Sequence, residues 1–194
     1  MAEWQPVPSP LAHALAGLTI HVATAPSDEL ASRRRTAVTV GAALAPDLDL
    51  AWKLIDGVNH HQAQGHSVGV GLGLAAAVVA VAAACRVPRP WGLGLAALAG
   101  WSSHLLLDLL NVDTSPPIGL MALWPFSDGY FKSPWPVFLD IGRTLNWRTV
   151  WHDTVAIAWE LAILCPVLIA AWRVRAHRRA GAWHGARVRE QISG

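Results

Sequence analysis

The chain alternates between apolar segments and short polar connections, and the apolar segments predict helices. The strongest segment, Ser67 to Cys85, contains no charged side chain. At about 1.5 Å per residue it nearly spans a hydrocarbon core of about 30 Å. We therefore expect an all-α, multi-pass membrane helix bundle. A soluble bundle with Ala-rich core helices is the alternative. The predicted helices, about five in number, lie at roughly 10–25, 36–48, 67–85, 91–107 and 154–172.

Composition favours the membrane over the soluble alternative. Hydrophobic residues make up 53% of the chain and charged residues only 14%, whereas an ordinary soluble domain carries about 25% charged residues. Many of the 11 tryptophans fall near segment ends, where amphipathic rings prefer the headgroup region of a bilayer.

The basic residues predict how the helices are oriented. If the N-terminus lies outside and the five helices alternate, then 26–35, 86–90 and 173–194 share one side and hold 11 of the 15 Lys and Arg residues. By the positive-inside rule this side is cytoplasmic. We therefore divide the chain into a membrane-embedded domain, 1–172, and a basic cytoplasmic tail, 173–194. The tail is expected to anchor the topology, and we expect no direct binding of nucleic acid.

A candidate metal pair stands near the end of the fourth segment. His104 and Asp108 are four residues apart, so they share a face of a helix. Imidazole and carboxylate groups bind zinc, and they also suit manganese or iron. The alternative is a simple hydrogen-bonded pair. Because ionisable groups inside a membrane are costly, the membrane setting favours a functional role.

The second and third segments are separated by further candidate ligands. Asp47 and Asp49 follow a helix that a proline interrupts, and two nearby carboxylates repel each other unless a cation or solvent lies between them. A plain turn is the alternative. His61 and His66 stand directly before the longest apolar segment, and we expect their neighbour His60 to take no part in binding.

The candidates share a position at the segment ends opposite the arginines. Because one catalytic zinc ion usually takes about three protein ligands and leaves a position for water, seven candidates fit two ions better than one. We therefore expect a metal site at one end of the bundle, on its outward face. The seven candidates are His13, Asp47, Asp49, His61, His66, His104 and Asp108.

The order and spacing of these motifs resemble a known family. The succession over roughly residues 8–130 is similar to the YdjM-type bacterial inner-membrane proteins, sometimes described as LexA-binding, which are regarded as metal-dependent hydrolases. A more distant similarity links the pattern to the zinc-dependent phospholipase C and P1 nuclease group. The motifs are Ala12-His13-Ala14, Pro46-Asp47-Leu48-Asp49, His61 to Ser67, Ser103 to Asp108, and Gly119 through Leu123-Trp124-Pro125-Phe126-Ser127.

The resemblance implies a function and metal roles for all seven candidates. We expect a membrane-bound hydrolase that cleaves a phosphoester, lipid or membrane-adjacent, through water activated by two Zn²⁺ ions, with Mn²⁺ as the alternative metal. Asp49 and His61 are the predicted catalytic residues, with Asp49 as the base. The expected location is the bacterial inner (cytoplasmic) membrane.

The chain departs from the family pattern in three respects, one of which is a longer stretch from Asn111 to Pro117 before Gly119. Between His61 and His66 it lacks an arginine that the family usually has there. Phospholipase-like relatives also carry a later His-x-x-x-Glu pair, but His152 is followed four residues later by Ala156. Only Glu160, deeper in the segment, could substitute, so we expect no third metal ion.

Two other classes of function remain open. A non-catalytic membrane protein could carry a structural or sensory metal site and bind a regulatory protein. A transporter could use Asp108 and Glu160 as an ion relay, although most acids lie at one face. The first of these is the stronger alternative.

Overall fold

The computed structural model describes residues 8–58, 60–114, 117–142, 144 and 146–193, without the side chains of 52–54 and 179–193. In these ranges it is all-helical, and two isolated β-bridges stand in place of strands. Two short 3-10 turns, Pro46–Leu48 and Gln64–His66, flank the third helix. The helices are α1 (Pro10–Thr24), α2 (Arg33–Leu44), α3 (Asp49–Asp56), α4 (Val68–Ala84), α5 (Pro90–Leu109) and α6 (Trp147–Ser193).

The described residues form six α-helices, where the sequence predicted about five. The additional one is α3, which has only 8 residues and carries charges, so it has no continuous apolar run. Helix α6 has 47 residues and runs without a break across the proposed boundary at residue 172. Its polar part is rich in Ala and Arg, which favour helix, and therefore continues the helix.

The helices pack closely where small residues meet. Helix α5 packs against α1, α2 and α4, while α2 and α6 both pack against α1. A Cβ atom at Gly100 of α5 would collide with the carbonyl oxygen of Thr39 in α2, and one at Gly94 would collide with the side chain of Val79 in α4. Small residues of this kind let helix backbones approach in a membrane bundle.

Helix α6 is joined to α1 near both ends of that helix. The carboxylate of Glu160 accepts hydrogen bonds from the backbone N–H of Ser9, at 2.8 Å, and from its hydroxyl. The Ser9 hydroxyl oxygen also accepts from the N–H of Ala12, which caps α1. At the other end, Arg175 donates to the carbonyl of Val22.

The connection between α5 and α6 folds back over the bundle. Its backbone pairs with itself at Leu120 and Phe131, and it bonds to the start of α4 through Ala122 and Trp124, which accept from the N–H groups of Val68 and Gly69. The loop therefore fixes the entry into α4, directly after His66.

Two described helices are long and apolar enough to cross a membrane, namely Pro90–Leu109 and Trp147–Arg178. The windows that qualify are 61% and 17% buried, respectively, within the protein. Helix α4 is a shorter apolar helix, and only Gly71 and Ala82 are buried along it. The apolar part of α6, within Trp147–Arg178, and most of α4 are thus largely uncovered by protein.

Candidate metal centre

The tertiary structure brings the seven predicted residues together from five elements. His13 comes from the first turn of α1, Asp47 from the 3-10 turn after α2, and Asp49 from the start of α3. His61 precedes the short turn before α4 and His66 ends that turn, while His104 and Asp108 lie in the last turns of α5. We call these seven residues the His/Asp cluster.

Six members form three overlapping groups of three residues. Within each group the ligand atoms lie within 4.8 Å of one another. Asp49 belongs to none of these groups and instead contacts two of the histidines. The groups are His13–Asp47–His104, Asp47–His61–His66, and His66–His104–Asp108.

Four ligand atoms are spaced like the corners of a metal coordination shell. His66 Nε2 lies 3.5 Å from Asp108 Oδ2 and 3.9 Å from Asp47 Oδ1. His104 Nε2 lies 3.1 Å and 3.8 Å from the same two oxygens. Tetrahedral ligands at zinc bond lengths of about 2.0–2.1 Å are about 3.3 Å apart. The four atoms therefore surround a space of the size that such an ion fills.

The tautomer of His104 follows from its backbone contact. His104 Nδ1 lies 2.8 Å from the carbonyl oxygen of Ala43, which can only accept a hydrogen bond, so Nδ1 carries the proton. In the neutral ring Nε2 then presents a lone pair to the Asp108 carboxylate. Two facing acceptors need a proton or a cation between them. A backbone carbonyl that accepts from the outer ring nitrogen is a common partner of a metal-binding histidine.

Asp49 connects two histidines from outside the three groups. Its Oδ1 lies 2.8 Å from His61 Nδ1, and its Oδ2 lies 3.0 Å from His66 Nδ1. The outer nitrogens of both rings thus face one carboxylate, which turns His66 Nε2 toward Asp47 and Asp108. A carboxylate behind a histidine fixes the orientation of a ligating ring.

Asp108 presents its two oxygens to different histidines. Oδ2 faces His66 and His104, whereas Oδ1 lies 3.5 Å from His13 Nε2. The His13 ring stacks on His104 with 3.8 Å between the ring centroids. The carboxylate of Asp108 therefore lies between two parts of the cluster.

The interior of the cluster is buried and short of hydrogen bonds. Both ring nitrogens of His13 and both carboxylate oxygens of Asp108 are buried without a hydrogen-bond partner among the described residues, and so is His104 Nε2. Unsatisfied buried polar groups cost free energy. Their concentration at one place, in residues that are metal ligands by chemistry, fits a bound cation.

Within the His/Asp cluster, only Asp47 and Asp49 reach solvent. The side chains of Asp47 and Asp49 are 14% and 15% exposed, whereas those of His13, His61, His66, His104 and Asp108 are fully covered. The opening of the cluster therefore lies on the side of Asp47 and Asp49.

The pKa values of Asp47, Asp49 and His66 reflect this environment. Burial raises the pKa of Asp47 to about 6, against the opposing effect of His104. Burial acts in the same direction on Asp49, but contacts with His61 and His66 outweigh it and hold its pKa below the ordinary value. Burial lowers the pKa of His66, which favours the neutral ring that a metal requires.

Sequence reasoning missed the groups that support the cluster. Gln62 is buried with a positive φ of 63°, and its carbonyl accepts from the N–H of Met121 in the long loop. The carbonyl of Ser67 accepts from the indole of Trp101. These contacts fix the segment that carries His61 and His66. Their partners are distant in sequence, so no local pattern indicates them.

The other residues that the sequence singled out lie outside the three groups. Leu123 to Ser127 lies beside the start of α4, and Phe126 is 88% exposed. His60 lies outside the three groups and pairs with Asp56 at 2.7 Å. Glu160 is in none of the three groups.

Comparisons with known proteins identify a family for this chain. Searches of the curated proteins and of the solved structures give no significant match. The sequence model of the YdjM inner membrane protein family, in contrast, matches residues 9–180. This range contains every residue of the His/Asp cluster and most of α6. The chain therefore belongs to the YdjM inner membrane protein family.

Proposed function

We propose that the protein is a multi-pass, membrane-bound, metal-dependent hydrolase that cleaves a phosphoester in a lipid or another membrane-adjacent substrate. The observation that carries the proposal is the concentration of buried, unsatisfied His and Asp atoms at spacings suited to metal ions. By the positive-inside rule the cluster lies at the outward end of the bundle in the inner membrane.

The division of the histidines supports two ions, zinc or manganese. Each histidine nitrogen can bind only one ion at a time. The groups His13–Asp47–His104 and Asp47–His61–His66 have only Asp47 in common, so their histidines could bind different ions. In that division His13 and His104 would hold one ion and His61 and His66 the other, with Asp47 available to either because it belongs to both groups. Asp108, which contacts both pairs, completes the set.

The chemistry of the site follows from this arrangement. Divalent ions at this position supply Lewis acidity, which lowers the pKa of water and stabilises charge on a phosphoryl oxygen. Asp49 is the proposed base, since it lies outside the three groups and near the opening. The Asp49 carboxylate would accept the proton that water loses, and its contacts with His61 and His66 hold it in place.

A lipid or membrane-adjacent substrate fits the location of the opening. Asp47 and Asp49 follow the end of α2. The connection between α5 and α6 is bonded to the segment that carries His61 and His66, and it exposes Phe126 and Trp135. Aromatic side chains of this kind prefer the membrane interface. A phosphoester held at the headgroup level would meet the cluster from this side.

The second candidate function is a non-catalytic protein with a structural or sensory metal site, which could bind a regulatory partner. It is favoured by the four atoms from Asp47, His66, His104 and Asp108, which could fill all four positions around a single zinc ion. A closed, four-coordinate shell is typical of structural zinc. The two candidates therefore differ in the number of ions and in the presence of an open position.

Elemental analysis of detergent-purified protein tests both candidates. We expect about two ions per chain, and almost none in a His104→Ala/Asp108→Ala variant. The matched control is His60→Ala/Asp56→Ala, which removes an exposed His/Asp pair with the same four-residue spacing and should retain the metal. One ion per chain would favour the structural site.

An activity assay then tests the chemistry. Phospholipids in mixed micelles and a soluble phosphodiester are offered to the metal-loaded protein, and the released phosphate or alcohol is measured. We expect cleavage that requires the metal and is lost in Asp49→Asn. No cleavage by a protein that holds two ions, or cleavage that survives metal removal, would contradict the proposed hydrolase.

A further inference from the structure

A second candidate binding site lies at the end of the bundle opposite the His/Asp cluster. A groove of about 500 Å³ runs between the start of α2 and the end of α4, with Leu93 of α5 at its base. We call it the α2–α4 groove. Its walls are apolar except at one point, where Arg34 lines it. The cluster, in contrast, lies after α2, before α4 and near the end of α5.

Arg34 is the cation that lines this groove. It has no ion pair or hydrogen bond from its guanidinium among the described residues, although it borders a smaller hollow that Glu29 also lines. The Glu29 carboxylate is already occupied, since Arg35 and Arg89 each lie 3.3 Å from it. The groove therefore presents the positive charge of Arg34, and no acidic side chain among the described residues neutralises it.

The walls of the groove continue onto a surface suited to lipid. Ala77, Val78 and Val81 of α4 line it, and the outer face of α4 is apolar and uncovered. Trp91 is 73% exposed at the start of α5, as expected of a ring at the headgroup level. An acyl chain would cover these walls without loss of hydrogen bonds.

The combination of an apolar groove and a cation at its end selects one class of ligand. A guanidinium binds phosphate oxygens through two parallel hydrogen bonds. A soluble anion would leave the apolar walls uncovered, and a zwitterionic lipid would bring its own positive charge to Arg34. We propose that the α2–α4 groove binds one anionic phospholipid, with its phosphate on Arg34 and an acyl chain along Ala77 to Val81.

Native mass spectrometry of the detergent-purified full chain tests whether the Arg34 charge selects an anionic lipid. The protein is titrated with phosphatidylglycerol or with phosphatidylcholine of the same acyl chains. We expect one phosphatidylglycerol to be retained in preference to phosphatidylcholine, and Arg34→Gln to reduce that retention about fivefold or more, since one arginine near an anionic lipid contributes at least this factor. Arg33→Gln is the matched control, because Arg33 lines a different hollow, and it should retain the lipid.

A second pair of variants tests the groove independently of charge. Ala77→Phe fills the groove and should reduce phosphatidylglycerol retention with Arg34 intact, whereas Ala80→Phe adds the same ring to an exposed position outside the lining and should not. Equal losses in Arg34→Gln and Arg33→Gln would overturn the proposal, as would equal retention of both lipids. Metal content serves as the check of folding, because the groove lies away from the cluster. If Ala77→Phe does not fold, the two arginine variants decide the question.

Discussion

Asp108 and Glu160 are two of the acids buried inside this protein, and their surroundings differ. Glu160 of α6 is 1% exposed, and both of its oxygens accept hydrogen bonds from Ser9. Asp108 of α5 is 3% exposed, and neither of its oxygens has a hydrogen-bond donor among the described residues. Asp108 instead faces the rings of His13, His66 and His104.

The difference separates a structural acid from a candidate ligand. A buried carboxylate is costly unless hydrogen bonds or charges compensate it. For Glu160 the protein itself supplies the compensation, which joins α6 to the N-terminus of α1. For Asp108 the protein supplies only other potential metal ligands. The contacts of Glu160 also give no support to the ion relay considered from the sequence, since its carboxylate is already occupied by Ser9.

The largest expected effect is on metal content. Asp108→Asn should remove nearly all bound metal, because the amide keeps the shape of the side chain but loses the charge and one ligand oxygen. Glu160→Gln is the matched control, since it makes the same chemical change at the other buried acid. Elemental analysis per folded chain measures both. Equal metal loss in the two variants would contradict the distinction between the acids.

Asp49 offers an intermediate effect. Asp49 orients His61 and His66 from outside the three groups. Asp49→Asn should therefore weaken metal binding about 10- to 100-fold without abolishing it, as is usual for a residue that orients a ligand and does not bind the metal itself. Competition with a chelator of known affinity measures the change. A complete loss of metal would instead make Asp49 a direct ligand, as the sequence predicted.

Glu160 should matter for stability where Asp108 matters for binding. Glu160→Gln leaves at least one Ser9 donor without a charged acceptor, and we expect a loss of about 1–3 kcal/mol in the free energy of unfolding. The loss should be the same with and without metal. Unfolding in detergent, followed by tryptophan fluorescence, measures it. A loss that appears only in the metal-loaded protein would link Glu160 to the cluster.

The smallest expected effect is that of pH. The pKa of Asp47 is raised by burial to about 6, so below that pH a proton competes with the ion for this carboxylate. Metal affinity should therefore be full above pH 7 and fall as pH drops through 6. This one proton contributes a decrease of about tenfold by pH 5. Asp47→Asn, which has no such proton, should lose this part of the pH dependence.

The helices were largely predictable because their signal is local. Uninterrupted apolar runs indicated α4 and α5 to within two residues, and the spacing of His104 and Asp108 placed them on one helical face. Helix α3 was missed because it is short and charged. The extension of α6 was missed because apolarity marks where lipid or core covers a helix and does not mark where the helix ends.

The candidate site could be predicted as a set of residues but not as an arrangement. All seven residues could be selected because His and Asp are rare in apolar segments and costly there. Nothing local distinguished Asp47, which joins two of the three groups, from Asp49, which stands behind two histidines. That distinction depends on how the two 3-10 turns meet the end of α5.

The sequence by itself determined the helical class, the separation of His and Asp from Arg, and the candidate ligands, since each follows from composition and spacing along the chain. Only the tertiary structure decided which buried acid is satisfied. Ser9 and Glu160 are 151 residues apart, and whether they meet depends on the packing of α6 against α1. The partners of a side chain depend on the packed fold, because the same packing that buries an acid determines which groups lie close enough to bond with it.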